Sequence, residues 1–145
     1  KGGPTGVTPL HVAATHAEKA RRLIQAGAKE FPDNLGAMPR DVAWGCGNAE
    51  VGHILERASF HRACRRGLID AVRIALAADQ PPNAPDPSSG FHPLYLAAAG
   101  GHLPVLDALL DAKADPDRGG EEAPVMAAAA EGRAAAVAVL ARAGA

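Results

Sequence analysis

The stretch Thr8-Pro9-Leu10-His11-Val12-Ala13-Ala14, followed by a charged run to Leu23-Ile24 and closed by Ala26-Gly27-Ala28, decides the architecture because its pieces return along the chain. Pro39-Arg40-Asp41-Val42-Ala43 echoes it. So does Pro93-Leu94-Tyr95-Leu96-Ala97-Ala98-Ala99-Gly100-Gly101-His102-Leu103, which leads to Leu109-Leu110 and Ala112-Lys113-Ala114-Asp115-Pro116. A last copy, Pro124-Val125-Met126-Ala127-Ala128-Ala129, ends in Val139-Leu140 and Ala143-Gly144-Ala145. The alanine four residues after each proline marks the register: Ala13, Ala43, Ala97 and Ala128, with Ala63 of Arg62-Ala63-Cys64-Arg65-Arg66-Gly67 as a member without proline. The marks are separated by 30, 20, 34 and 31 residues. A period of this size is the signature of stacked supersecondary units.

Each piece has a local reason. Thr8 suits a helix cap, and Pro9 then takes the first helical position, where its missing N–H costs nothing. Gly47, Gly67, Gly101 and Gly132 follow the register alanine by four residues in the last four copies, which predicts a first helix of about two turns, ended by a left-handed glycine. Leu23-Ile24, Val72 with Ile74 and Leu76, Leu106 with Leu109-Leu110, and Val137 with Leu140 then form the apolar stripe of a second helix. Turn-forming clusters at Pro32-Asp33-Asn34-Leu35-Gly36, Pro85-Asp86-Pro87-Ser88-Ser89-Gly90 and Asp115-Pro116-Asp117-Arg118-Gly119-Gly120 read as the links between units.

Composition agrees. Of the 145 residues, 48% are apolar, but 34 are alanine, and aromatic residues make up only 3%. Small side chains disfavour a deep sandwich or barrel and favour helices with closely approaching backbones. No apolar run approaches the ~20 residues of a membrane-spanning helix. Two cysteines, Cys46 and Cys64, are too few for a disulfide framework, and no Asn-x-Ser/Thr site occurs, so a reducing intracellular compartment, the cytoplasm, is expected. The chain opens at Lys1 without methionine, consistent with a segment of a longer polypeptide.

The quoted motifs, the Gly100-Gly101-His102-Leu103 run and the Ala-Gly-Ala endings together resemble the ankyrin repeat, whose period is 33 residues. The resemblance implies an all-α solenoid of about five helix-turn-helix repeats with short hairpin-like loops, at roughly 1–28, 29–58, 59–84, 85–114 and 115–145. Three departures stand out. The second copy has Met38-Pro39-Arg40-Asp41 for Thr-Pro-Leu-His and Trp44 at its second alanine, the first is about two residues short around Thr15 to Glu18, and the 20-residue step leaves an irregular junction near 58–59. There the second helix is expected to turn almost directly into the next unit, with Ser59 as its cap.

Such a row leaves an open concave side rather than a closed pocket, and the resemblance implies that this side binds a protein. It places contacts at the residue before each helix cap, Val7, Ala37, Phe91 and Glu122, and at the hairpin tip, Asn34 and Leu35. Tyr95, where the family has histidine, is expected to join Phe91 as an aromatic anchor. The positions closing the first helices include Arg65, Arg66 and Glu131. Reversing Arg65 and Arg66 to Glu is expected to weaken partner capture with little loss of helicity.

Other chemistry is thin. Cys46, His53, His61 and Cys64 lack the paired spacing of a metal site. His11 and His102 fall where the family uses the ring for structural hydrogen bonds. No serine lies in a nucleophile elbow, and Gly2-Gly3-Pro4-Thr5-Gly6 lacks the Gly-Lys-Ser/Thr of a phosphate loop. Neither a catalytic residue, a cofactor, a metal nor a small-molecule substrate is therefore assigned. Net charge is −1, split as +4 over residues 1–76 and −5 over 77–145, a pattern that disfavours nucleic acid and could orient a protein partner. The rival reading is a structural or regulatory segment docked permanently in a larger protein or assembly, because Val137, Val139 and Leu140 are expected to leave the last copy with an uncovered apolar face.

Overall fold

The computed structural model describes residues 6–119 and 122–145; the glycine-rich opening as far as Thr5, and Gly120-Glu121, lie outside the described residues. Regular structure among the described residues is helical throughout, without strands. Helix α1 (Pro9–Val12) runs into a 3-10 turn at Ala13–Thr15 and is followed by α2 (Ala17–Gln25), α3 (Pro39–Gly45) and α4 (Ala49–Arg66). Then come α5 (Ile69–Ala77), α6 (Pro93–Gly100), α7 (Leu103–Asp111), α8 (Pro124–Ala130) and α9 (Ala134–Arg142). They form two compact units, one from the residues up to Ser59 with Pro87–Ser89, the other from Phe60–Asp86 and Gly90–Ala145. The first is built round Leu10, Ala20, Ile24, Val51 and Leu55, the second round Phe60, Val72, Leu94, Leu106, Leu109 and Leu140.

Helix starts and stops obey one rule per repeat. Pro9, Pro39, Pro93 and Pro124 each take the first position of a helix. At the other end, the amides of Asn48, Leu68, His102 and Arg133 donate to the carbonyls of the register alanines Ala43, Ala63, Ala97 and Ala128, five residues back. This return bond requires a left-handed residue just before the donor, and Gly47, Gly67, Gly101 and Gly132 supply it with φ of 73°, 73°, 70° and 67°. All five register alanines, Ala13 included, are buried.

Second helices close the same way. The amides of Ala28, Gln80, Ala114 and Ala145 return to Leu23, Ala75, Leu109 and Leu140, and the residue before each donor is again left-handed: Gly27, Asp79, Lys113 and Gly144. Counting on from Ala43 puts Ser59 at that position in the second copy. Counting back from Ala63 puts Ser59 where the other copies carry proline. With neither a left-handed residue nor a proline, nothing stops the helix, and α4 runs unbroken for 18 residues through Ser59. The expected cap at Ser59 is thus replaced by a fused helix, which accounts for the 20-residue step.

The other departures also have local explanations. Asp41 does for the second copy what His11 does for the first: the Met38 amide donates to Asp41 Oδ2 (2.9 Å), as the Thr8 amide donates to His11 Nδ1 (3.1 Å). Trp44 lies over Gly52 of α4, where an added Cβ would fall 2.5 Å from the indole, and its N–H donates to Glu56 (3.2 Å). The aliphatic stripe of α9 is not left open. Leu140 is fully buried and Val137 and Val139 pack half-buried against the same core, because α9 turns this stripe onto its own unit.

Ser59→Pro distinguishes a helix start from a helix interior. A proline is harmless at a first helical position, but at Ser59 it should cost about 3 kcal/mol or more of stability, read as a fall in the urea midpoint.

Candidate functional site

In the first unit, the link carrying Asn34 and Leu35 is braced from beneath by Asp33. Its Oδ1 accepts the amides of Leu35 (2.8 Å) and Ala37 (3.0 Å), while the Asp33 amide donates to the Ala37 carbonyl (2.9 Å). Aspartate closes such turns because its short carboxylate reaches the backbone two residues on. The link is also tied to α1. Since His11 Nδ1 accepts the Thr8 amide, its proton sits on Nε2, which donates to the Ala37 carbonyl (2.9 Å). Asn34 and Leu35 are thereby lifted into solvent, with Leu35 94% exposed. Beside the link, the Glu30 carboxylate, almost wholly buried, holds Arg40 at 3.0 Å.

In the second unit Asp86 has the corresponding role. Its amide donates to the Phe91 carbonyl (2.8 Å), its carbonyl accepts the Gly90 amide (2.8 Å), and its buried carboxylate meets Arg65 Nη2 at 3.3 Å. Phe91 stacks flat on Tyr95, with centroids 4.3 Å apart and planes within 6°, both rings half-buried. Arg65, Phe91 and Tyr95 are therefore joined through Asp86. No side-chain bond links Arg66, Glu122 or Glu131 to this group; all three are exposed, Arg66 at the end of α4 and Glu131 closing α8. Neither Asp33 nor Asp86 is a contact position by the resemblance, yet each was visible as the acidic residue of its turn cluster. Arg65 has one foot in the fold, so reversing it would set two carboxylates together beside a buried group, and Arg66 offers the cleaner charge reversal.

Next to the stack, Arg118 Nε donates to His92 Nε2 (3.2 Å). That geometry needs a neutral ring, and the His92 pKa is accordingly lowered from 6.5, first by burial and then by the charge of Arg118. The four metal candidates do different work. His61 is buried with Nε2 on the Ala84 carbonyl (2.6 Å), two residues before its register alanine as His11 is before Ala13, so it is the third copy's structural histidine. His53 packs edge-on against Trp44, Cys46 is exposed, and burial pushes the Cys64 thiol up to about 12. Among the described residues no three or more such side chains group together. His102, like His11, serves structure, bonding the Arg65 carbonyl through Nε2 (2.9 Å). No described helix is long and apolar enough to cross a membrane.

Two measurements check these environments. One thiol per chain, Cys46, should react with a disulfide reagent in the native state, and two in denaturant. With its folded pKa lowered, His92 binds its proton more readily when unfolded, so its effect is nil above the ordinary value of 6.5 and stability falls as pH drops through it. His92→Gln should shrink the loss in urea midpoint between pH ~7.5 and ~5.5.

Residues 60–145, more than half of the chain, match the family described as ankyrin repeats, in three copies. None of the curated proteins matches it.

Proposed function

Because the chain belongs to the ankyrin repeat family, we propose that it is a non-catalytic module whose loops and first helices, the side the family makes concave, bind a partner protein. Ankyrin repeats generally serve as interaction modules, and the reading assigns the contacts residue by residue. In the first unit they are Asn34 and Leu35. In the second they are Phe91 and Tyr95 with Arg65, joined by Arg66, Glu122 and Glu131 as exposed charges.

The observation that carries this reading is Leu35. A leucine left 94% exposed contributes nothing to the core, and burying such a side chain is worth about 1.5–3 kcal/mol. Its turn is held by four bonds between Asp33 and the link backbone and one from His11, so little conformational entropy is lost when a partner covers it. The Phe91–Tyr95 stack adds a second rigid apolar surface, with its own brace at Asp86. The Val137, Val139 and Leu140 stripe does not support permanent docking, since Leu140 is already buried, although Met126 of α8 is 58% exposed.

The test is quantitative affinity for a protein captured by the intact chain from its source cell. Leu35→Ala and Phe91→Ala should each weaken binding by roughly tenfold, and Arg66→Glu should slow association with its loss growing at low salt. Helicity and the unfolding midpoint should be unchanged in Leu35→Ala and Arg66→Glu. Equal affinity for the wild type and all three variants would overturn the assignment.

A further inference from the structure

A second surface lies on the opposite helices of the second unit. A groove of about 520 Å³ runs between α5 and α7, with Leu76, Pro104 and Ala108 among the residues that line it. Arg73 contributes from α5, Asp107 and Asp111 from α7. It is an open trough of mixed lining, apolar at Leu76, Pro104 and Ala108 and charged at its flanks, without the enclosure a small molecule needs.

The two carboxylates stand where the helix itself is least served by them. Asp107 and Asp111 are four residues apart, so like charges face each other across one turn, which disfavours a helix. Asp111 is moreover the last residue of α7, where the partial charge of the unpaired carbonyls is already negative. Among the described residues neither takes part in an ion pair, and Arg73 lies more than salt-bridge distance from both. Local rules broken twice on one short helix, beside this trough, point to a requirement imposed from outside the chain.

We propose that the α5/α7 groove receives a basic amphipathic helix of a partner protein, its apolar row on Leu76, Pro104 and Ala108 and two cations one turn apart facing Asp107 and Asp111. Helix-in-groove recognition of this kind is read from anchors at i, i+3 and i+4. Arg73 repels cations from the α5 wall, so the basic flank is confined to the α7 side and the direction of the incoming helix is set. Residues 60–145 carry ten Asp/Glu against eight Lys/Arg, a balance of −2, so attraction at a distance is slight and the local pair Asp107 and Asp111 carries the charge selection. This surface is separate from Phe91 and from Tyr95 of α6, and the two can be tested independently.

The experiment uses the whole chain and two synthetic helical peptides with the same leucine row, one with lysines at i and i+4 on a single flank, the other with glutamates there. The lysine peptide should bind and shift the amide resonances of α5 and α7, while the glutamate peptide should not. Asp107→Asn with Asp111→Asn should weaken the lysine peptide roughly five- to tenfold without lowering the thermal midpoint, and Asp107→Lys with Asp111→Lys should reverse the preference. Equal binding of both peptides, shifts confined to other helices, or undiminished affinity in the asparagine variant would overturn the proposal. So would concentration-dependent self-association that the asparagine variant abolishes, which would make the occupant a second copy of this chain.

Discussion

Every regular helix pair in this protein hinges on one hydrogen bond, from the amide five residues past the register alanine back to that alanine's carbonyl. The four instances are 2.9, 3.0, 3.0 and 2.7 Å long. The bond cannot form unless the intervening residue is left-handed, so glycine is demanded by geometry. At Gly67 there is a second demand, since an added Cβ would fall 2.4 Å from the His102 ring that bonds the Arg65 carbonyl. Where the chain is two residues shorter, the bond has to change. In the first copy the His16 amide reaches Ala13 at 2.9 Å, three residues back, and a 3-10 turn replaces the longer return. Burial is unaffected, because Ala13 and Ala14 remain enclosed.

An alanine register lets the helices approach closely but supplies little apolar area, so cohesion comes from the second helices. Leu55, Leu109 and Leu140 occupy the same place twelve residues past their register alanines, and all three are fully buried. In the third copy that place is Ala75, half-buried, which makes α5 the poorest contributor. Each buried leucine is worth about 1.5–3 kcal/mol against exposure. With interfaces of this kind, stability is a sum over neighbouring pairs, and a defect is felt chiefly by the units beside it.

The helix starts, stops and buried register were legible because each depends on one or two residue types at fixed spacing. Pro9, Pro39, Pro93 and Pro124 announced themselves, as did the glycines of the turns. The fused helix was harder to see, since it rests on the absence of two signals at one position, and Ser59 reads equally well as a cap when its neighbours in space are unknown. His61 was hidden differently. Without the Thr-Pro that precedes His11, it looked like a free ligand beside Cys64, and only its bond to Ala84 shows it as the counterpart of His11. Asp33 and Asp86 were seen as turn formers, but which backbone groups they hold is a matter of geometry that spacing does not carry. The covering of Val137, Val139 and Leu140 follows from how α9 lies on its own unit, which a stripe of aliphatics cannot reveal.

Under the proposed function, the same bonds keep the assigned contact residues apart from what stabilises each unit. Asp33 and Asp86 hold their links largely through backbone amides and carbonyls, which are the same whatever side chain stands at Asn34, Leu35 or Phe91. Leu35 can therefore change without disturbing the fold, whereas Arg65, paired with a buried carboxylate, cannot. Tyr95 lies between these extremes: it fills the histidine position of a first helix, yet spends its ring on Phe91 and makes no bond to the following link of the kind His11 makes to Ala37. On that proposal, affinity for a partner comes chiefly from side chains such as Leu35, exposed on a backbone the fold holds still, and that is the arrangement in which new specificity costs the fold least.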